Sequence, residues 1–101
     1  MAIPANEHRL EEPLLSSELA RLSGWERDGE TLVKTFTFKG FKGAIAFANR
    51  VAEAANAANH HPDIHVESYK NVRIVTTTHA TGGISQADID LARAIDAAAS
   101  A

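Results

Sequence analysis

At 101 residues the chain is long enough to bury roughly 60–70% of its unfolded surface as one domain, and with no cysteine it can hold neither a disulfide, a thiolate metal site nor a cysteine nucleophile. A formal net charge of −3 argues against direct nucleic-acid binding, because phosphate contacts need clustered Lys and Arg. No apolar run approaches the ~20 residues of a membrane span, and residues 1–8 lack a basic region followed by an apolar core, so a cytoplasmic protein with a small-molecule or protein partner is expected.

Residues 1–13 are polar and hold two of the prolines, which reads as a partly ordered N-terminal arm ahead of a single domain over 14–101. A short helix is expected over 16–22, capped by serine, with Glu18 in its first turn and Gly24 at its end. Trp25-Glu26-Arg27 reads as a brief strand, Asp28-Gly29 as a hairpin turn, and residues 31–38 as the second strand. Leu32, Phe36 and Phe38 share one face of it and Val33, Thr35 and Thr37 the other, the pattern of an antiparallel sheet covered on one side.

From residue 41 to about 59 the period changes from two to 3.6, and Phe41, Ala44, Ile45, Ala48, Val51, Ala52 and Ala55 form a stripe suited to lying on a sheet. Pro62 cannot continue this helix and pushes the residue before it out of the α region. Asn59-His60-His61-Pro62 therefore sits at a helix exit. Two adjacent imidazoles diverge on a regular element, but at such a junction both can face one pocket.

Residues 64–69 alternate again, and 72–79 form a longer strand after a turn at Lys70-Asn71. Val72, Ile74, Thr76 and Thr78 fall on one face; Arg73, Val75, Thr77 and His79 fall on the other, with His79 at the strand end. Ala80-Thr81-Gly82-Gly83 follows as a flexible turn that lets backbone and ligand approach closely. Ser85 and Asp88 have the spacing of a capping box opening the last helix, and Asp88 shares the core-facing stripe with Leu91, Ala92 and Ile95. Taken alone, Asp88 is explained as a cap, His60 and His61 as surface residues at a helix end, and His79 as structural. Phe36, Phe38, Phe41 and Phe47 read as core, and Trp25 as core or interface. His60, His61, His65 and His79 could also supply imidazoles to zinc or copper, but the adjacency of the first two argues against a metal site.

Taken together, His60-His61-Pro62, Tyr69, His79, Gly82-Gly83 and Asp88 at these separations resemble the signature of the pterin-4a-carbinolamine dehydratases. Gly24-Trp25, the spacing of Phe36, Phe38 and Phe41, Phe47, and Arg50-Val51-Ala52 extend the resemblance over roughly residues 14–96. It implies an α+β fold, a four-stranded antiparallel sheet with helices packed on one face, assembled as a homodimer or homotetramer. The implied reaction is loss of water from a 4a-hydroxytetrahydropterin to give the quinonoid dihydropterin, returning pterin to the aromatic amino acid hydroxylases without a metal or organic cofactor. By position, His60, His61 and His79 would be the catalytic histidines. Asn59, Thr77, Thr78 and Ala80 would line the pterin site, and Asp88 would support it. Dehydration needs one group to protonate the hydroxyl and another to take the ring-nitrogen proton, and imidazole can do either at neutral pH. A non-catalytic dimerisation or binding module of the same fold is the alternative, since family members also serve as partners of a transcription factor. Two departures stand out. Asn56 occupies a usually acidic position one turn before His60, where it can orient an imidazole but not stabilise its charge. The stretch between Pro62 and Tyr69 is one residue longer than in many members, which predicts a bulge shifting the faces of His65 and Glu67.

Overall fold

Two antiparallel hairpins separated by one long helix follow from the alternation of period-two and period-3.6 segments. In the computed structural model, which describes residues 5–100, the elements are α1 (Leu14–Ala20), β1 (Glu26–Asp28), β2 (Thr31–Thr37), α2 (Phe41–Ala58), β3 (Asp63–Glu67), β4 (Asn71–Thr76) and α3 (Gln86–Ala99). The strands form one antiparallel sheet in the order β1-β2-β4-β3. Gly29, at φ 60, opens the two-residue turn joining β1 to β2, where a side chain would be disfavoured.

Helices α2 and α3 pack on each other and cover the sheet face that carries Leu32, Val72 and Ile74, all fully buried. Phe47 is the centre of this core: its ring lies 4.7 Å from that of Phe36 and 5.1 Å from that of Phe38. Between Leu32 and Phe36 the same face holds a cation, Lys34. Its ammonium lies 4.7 Å from the Phe36 ring centroid, pairs with Asp96 of α3 at 2.9 Å and donates to the Ser23 carbonyl at 2.8 Å. Trp25 is buried at 6% exposure, and its indole N–H reaches the same Asp96 carboxylate at 3.1 and 3.2 Å. A charge on the apolar face is thus tolerated because it is paired at once.

Several local expectations shift. Helix α1 starts two residues earlier than expected, after Pro13, whose fixed φ suits a helix start; no serine caps it, and the Ser16 hydroxyl turns back to Glu12. Glu18 reaches across to Arg93 of α3 at 3.0 Å and is not in the first turn. Phe41, expected in the core, is 57% exposed, and Ala52 also faces outward. The buried stripe is Ala44, Phe47, Val51 and Ala55, with the large Phe47 ring packed between Phe36 and Phe38. Strand β3 ends at Glu67, and the turn is Ser68-Tyr69-Lys70, its first two residues left-handed at φ 48 and 56; Lys70 lies in the turn as expected, but Asn71 already belongs to β4. The expected bulge is absent: pairing of β3 with β4 runs unbroken from Asp63 and Val75 to Glu67 and Asn71. Strand β4 stops at Thr76, opposite Leu32, and β2 begins only one residue earlier, at Thr31, so no β2 residue lies opposite His79. Thr78 instead pairs with Gly83, and His79–Thr81 form one 3-10 turn between them. Among the described residues no helix is long and apolar enough to cross a membrane.

Replacing Phe47 with alanine removes the ring that both neighbours pack against. Urea unfolding should show a loss of about 3–5 kcal/mol with little change in slope. On the β3–β4 hairpin, Arg73 donates two hydrogen bonds to Glu67 at 3.1 Å each and holds its carboxyl below the ordinary value of 4.5. A depressed folded pKa gives stability that is present above the unfolded value and lost as pH falls through the folded one. The difference in urea midpoint between wild type and Glu67→Gln should therefore be small at neutral pH, since the pair is exposed, and should close as the pH drops below about 4.5.

Candidate active site

Helix α2 ends in a backbone reversal that sends consecutive residues to different sides. Asn59, directly after the helix, is left-handed at φ 52 and ψ 40. Its N–H donates to the Asn56 carbonyl at 3.2 Å, and the N–H of His60 donates to the Ala55 carbonyl at 3.1 Å, the paired bonds of a Schellman ending. Asparagine tolerates this conformation better than most residues, and Pro62 prevents the chain from re-entering a helix. His60 turns inward and is 9% exposed. His61 turns outward, its Nε2 3.1 Å from Asn56 Oδ1. The neighbour of Asn56 is thus His61 and not His60, because the left-handed residue breaks the helical spacing between positions 56 and 60.

Inward, His60 meets Asp88, a carboxylate with no exposed surface, at 2.7 Å from Nε2 to Oδ1. Thr76 and Thr78, which share a strand face with Val72 and Ile74, donate to it at 2.6 and 2.7 Å. The Ser85 backbone N–H supplies the fourth bond at 2.9 Å, the acidic half of a capping box, where the α3 N-terminus also favours negative charge. The Thr78 and Ser85 hydroxyls lie 2.6 Å apart and complete the cluster. Three donors besides the imidazole already point at Asp88, and a carboxylate that only accepts pairs with a His60 ring whose Nε2 carries hydrogen. Among the described residues every buried side-chain nitrogen and oxygen has a partner, and His60 also lines the adjoining cleft.

That cleft has a volume of about 270 Å³. Its walls are Asn59, His60 and His61 from the end of α2; Thr77, Thr78, His79 and Ala80 from beyond β4; and Glu7. His79 is exposed, carried there by the 3-10 turn that replaces the expected strand end. Thr77 is anchored by donating to the Glu30 carbonyl at 2.6 Å. Of the residues singled out in the sequence, Asp88 stands behind His60 and not on the wall. The Gly82-Gly83 turn does not line the cleft either: a Cβ on Gly83 would come within 2.6 Å of Glu30 Oε2, so its close neighbours are side chains of the protein and not a ligand. His65 lies on β3 opposite Arg73, and among the described residues no three histidine or acidic side chains converge as metal ligands. Two participants were not picked out in the sequence. Thr76 was signalled by its parity, a second hydroxyl on an otherwise apolar face. Glu7 had no local signal, since it reaches the cleft only through tertiary contacts of the segment before α1.

Residues 8–98 match the family described as pterin 4 alpha carbinolamine dehydratase. A Thermomicrobium roseum protein provisionally named pterin-4-alpha-carbinolamine dehydratase is 51% identical over 85 residues, covering 84% of this chain and 90% of its own. Among solved structures, a transcriptional coactivator/pterin dehydratase from Brucella melitensis superposes with a TM-score of 0.84 at 32% identity, over 91% of this chain and 99% of that one. A pterin dehydratase-like RuBisCO assembly factor of the alpha-carboxysome shares the fold, with a TM-score of 0.64 at 24% identity over 75% of this chain and 89% of its own.

Asp88→Ala leaves two hydroxyls, an N–H and an imidazole without their acceptor. The expected cost is about 3–5 kcal/mol, read as a lowered urea midpoint. A variant as stable as wild type would mean that the cluster carries no net stability.

Proposed function

Because the chain belongs to the pterin 4 alpha carbinolamine dehydratase family, we propose that it removes water from a 4a-hydroxytetrahydropterin. The observation that carries this reading is a histidine, His60, hydrogen-bonded to the buried Asp88 and lining a cleft shared with two further imidazoles. In the reaction the bond from C4a to the hydroxyl oxygen breaks, the oxygen gains a proton and leaves as water, and N5 loses its proton as a C4a–N5 double bond forms. His60 is suited to take the N5 proton at Nδ1, because Asp88 both holds Nε2–H in place and stabilises the imidazolium that results. His61 and His79, both in contact with solvent, are suited to protonate the departing hydroxyl and to be reprotonated from water. Asn59, Thr77, Thr78 and Ala80 then bound the pterin ring. The protons lost and gained balance, so the cycle requires no metal or organic cofactor.

The Brucella protein carries a coactivator function in its name beside the dehydratase one, which supports a second reading as a binding or dimerisation module acting through protein partners. Turnover separates the two. Wild type should dehydrate a 4a-hydroxytetrahydropterin well above the rate in buffer, and His60→Ala should lower kcat by a hundredfold or more without unfolding the protein, with His61→Ala and His79→Ala also impaired. A wild type no faster than buffer would remove the enzymatic reading and leave the module.

A further inference from the structure

Among the described residues Glu7 is the one carboxylate on the cleft wall; Asp88 is sealed behind His60 with both oxygens engaged. It ends the 3-10 turn Ala5–Glu7, which packs against α3. The chain is pinned immediately afterwards. Arg9 bridges to Ser85 and pairs with Glu30 at 2.8 Å, and the Leu10 N–H donates to the Ile84 carbonyl at 2.9 Å. Only His8 and Arg9 separate Glu7 from a backbone bond to the segment that leads into α3, so it is held over the cleft by the same segment that presents Asp88. Glu7 is half-buried, yet among the described residues its carboxylate enters no ion pair and no side-chain hydrogen bond, while Arg9, Arg27 and Lys34 are each paired with other acids. Among the described residues no Lys or Arg lines the cleft. A half-buried, unpaired acid facing a cleft without cations is matched by a ligand that brings donors.

A pterin brings such donors in a fixed pair. Its N3–H and 2-amino group point the same way in the plane of the ring, as two N–H bonds of a guanidinium do, and match the two oxygens of one carboxylate. This edge lies on the far side of the pyrimidine ring from N5. Resting on the dehydratase reading above, we infer that Glu7 recognises the 2-amino-4-oxo edge of the pterin and thereby sets the ring with C4a and N5 toward the histidines. It is a specificity and positioning residue, with no proton to move. A 2,4-dioxopteridine, or lumazine, would place a carbonyl oxygen against the same carboxylate, and this repulsion is the discriminating element.

The test compares binding of oxidised pterin and of lumazine by fluorescence titration at pH 7, in wild type and in Glu7→Gln, alongside turnover of the carbinolamine. Wild type should bind pterin more tightly than lumazine by roughly ten- to a hundredfold, the span of a charge-assisted hydrogen bond. Glu7→Gln keeps the shape of the side chain and should retain the urea midpoint. It should erase most of that preference and raise KM by tenfold or more while kcat changes less than threefold. A Glu7→Gln protein with the wild-type preference and KM overturns the role of Glu7 and leaves the dehydratase reading intact. A fall in kcat with unchanged KM overturns it as well, since that would place Glu7 in the chemistry. A wild type that neither turns over the carbinolamine nor binds pterin removes the dehydratase reading, and the Glu7 inference falls with it.

Discussion

One buried carboxylate holds the working end of this molecule together. Asp88 has no contact with solvent, and an ion in that position is tolerated only if its oxygens are saturated with donors. The donors come from three places: the second residue after α2, alternate threonines running out of β4, and the backbone at the start of α3. Moving any of these elements would strand the charge. The requirement to neutralise Asp88 is therefore also what fixes the distance between the helix end that carries two histidines and the turn that carries the third.

The same cluster explains why His60 and His61 differ although they are adjacent. The left-handed Asn59 turns the chain so that one imidazole falls into the core and the other stays at the rim. A buried ring with one nitrogen committed has a defined tautomer, and an exposed ring exchanges protons freely with water. Identical side chains thus come to differ in burial and in hydrogen-bond partner. Lys34 illustrates the same logic on the sheet, where Asp96 and the Ser23 carbonyl make a cation acceptable beside Phe36 and Trp25.

Much of the fold could be read before the structure because period and punctuation agreed. The β-branched run after Asp28-Gly29, the shift to 3.6 at Phe41 and the stop imposed by Pro62 each depend on near neighbours. The α+β class and the four-stranded antiparallel sheet follow from them. Errors arose where a distant partner decides. Phe41 fits the helical stripe, but Phe47 fills the space above the sheet and leaves Phe41 outside. His79 continues the strand period, but β2 has no residue left to pair with it. The turn after β3 uses Ser68 and Tyr69 in a conformation glycine would adopt more easily, which no local preference suggests. For the candidate site, Asn59, both adjacent histidines, His79 and Asp88 were visible through their spacing. Glu7 was not, because its position is a property of how residues 9 and 10 meet residues 84 and 85.

The capping box at the start of α3 has an implication for how the protein is made. Ser85 and Asp88 are local to each other, but the other partners of Asp88 lie 10, 12 and 28 residues upstream. A growing chain that has reached only Gly83 already contains the sheet strands, the long helix and all five histidines. It lacks the acceptor that gives His60 its orientation, as well as the strand-like anchor at Ile84 and Ser85 that brings Glu7 to the cleft. Because α3 also brings the buried Ile89, Leu91, Ala92 and Ile95, a fragment cut short of it would lose the carboxylate and much of the apolar cover of the sheet together, so the cluster and the core are completed in the same late step of synthesis.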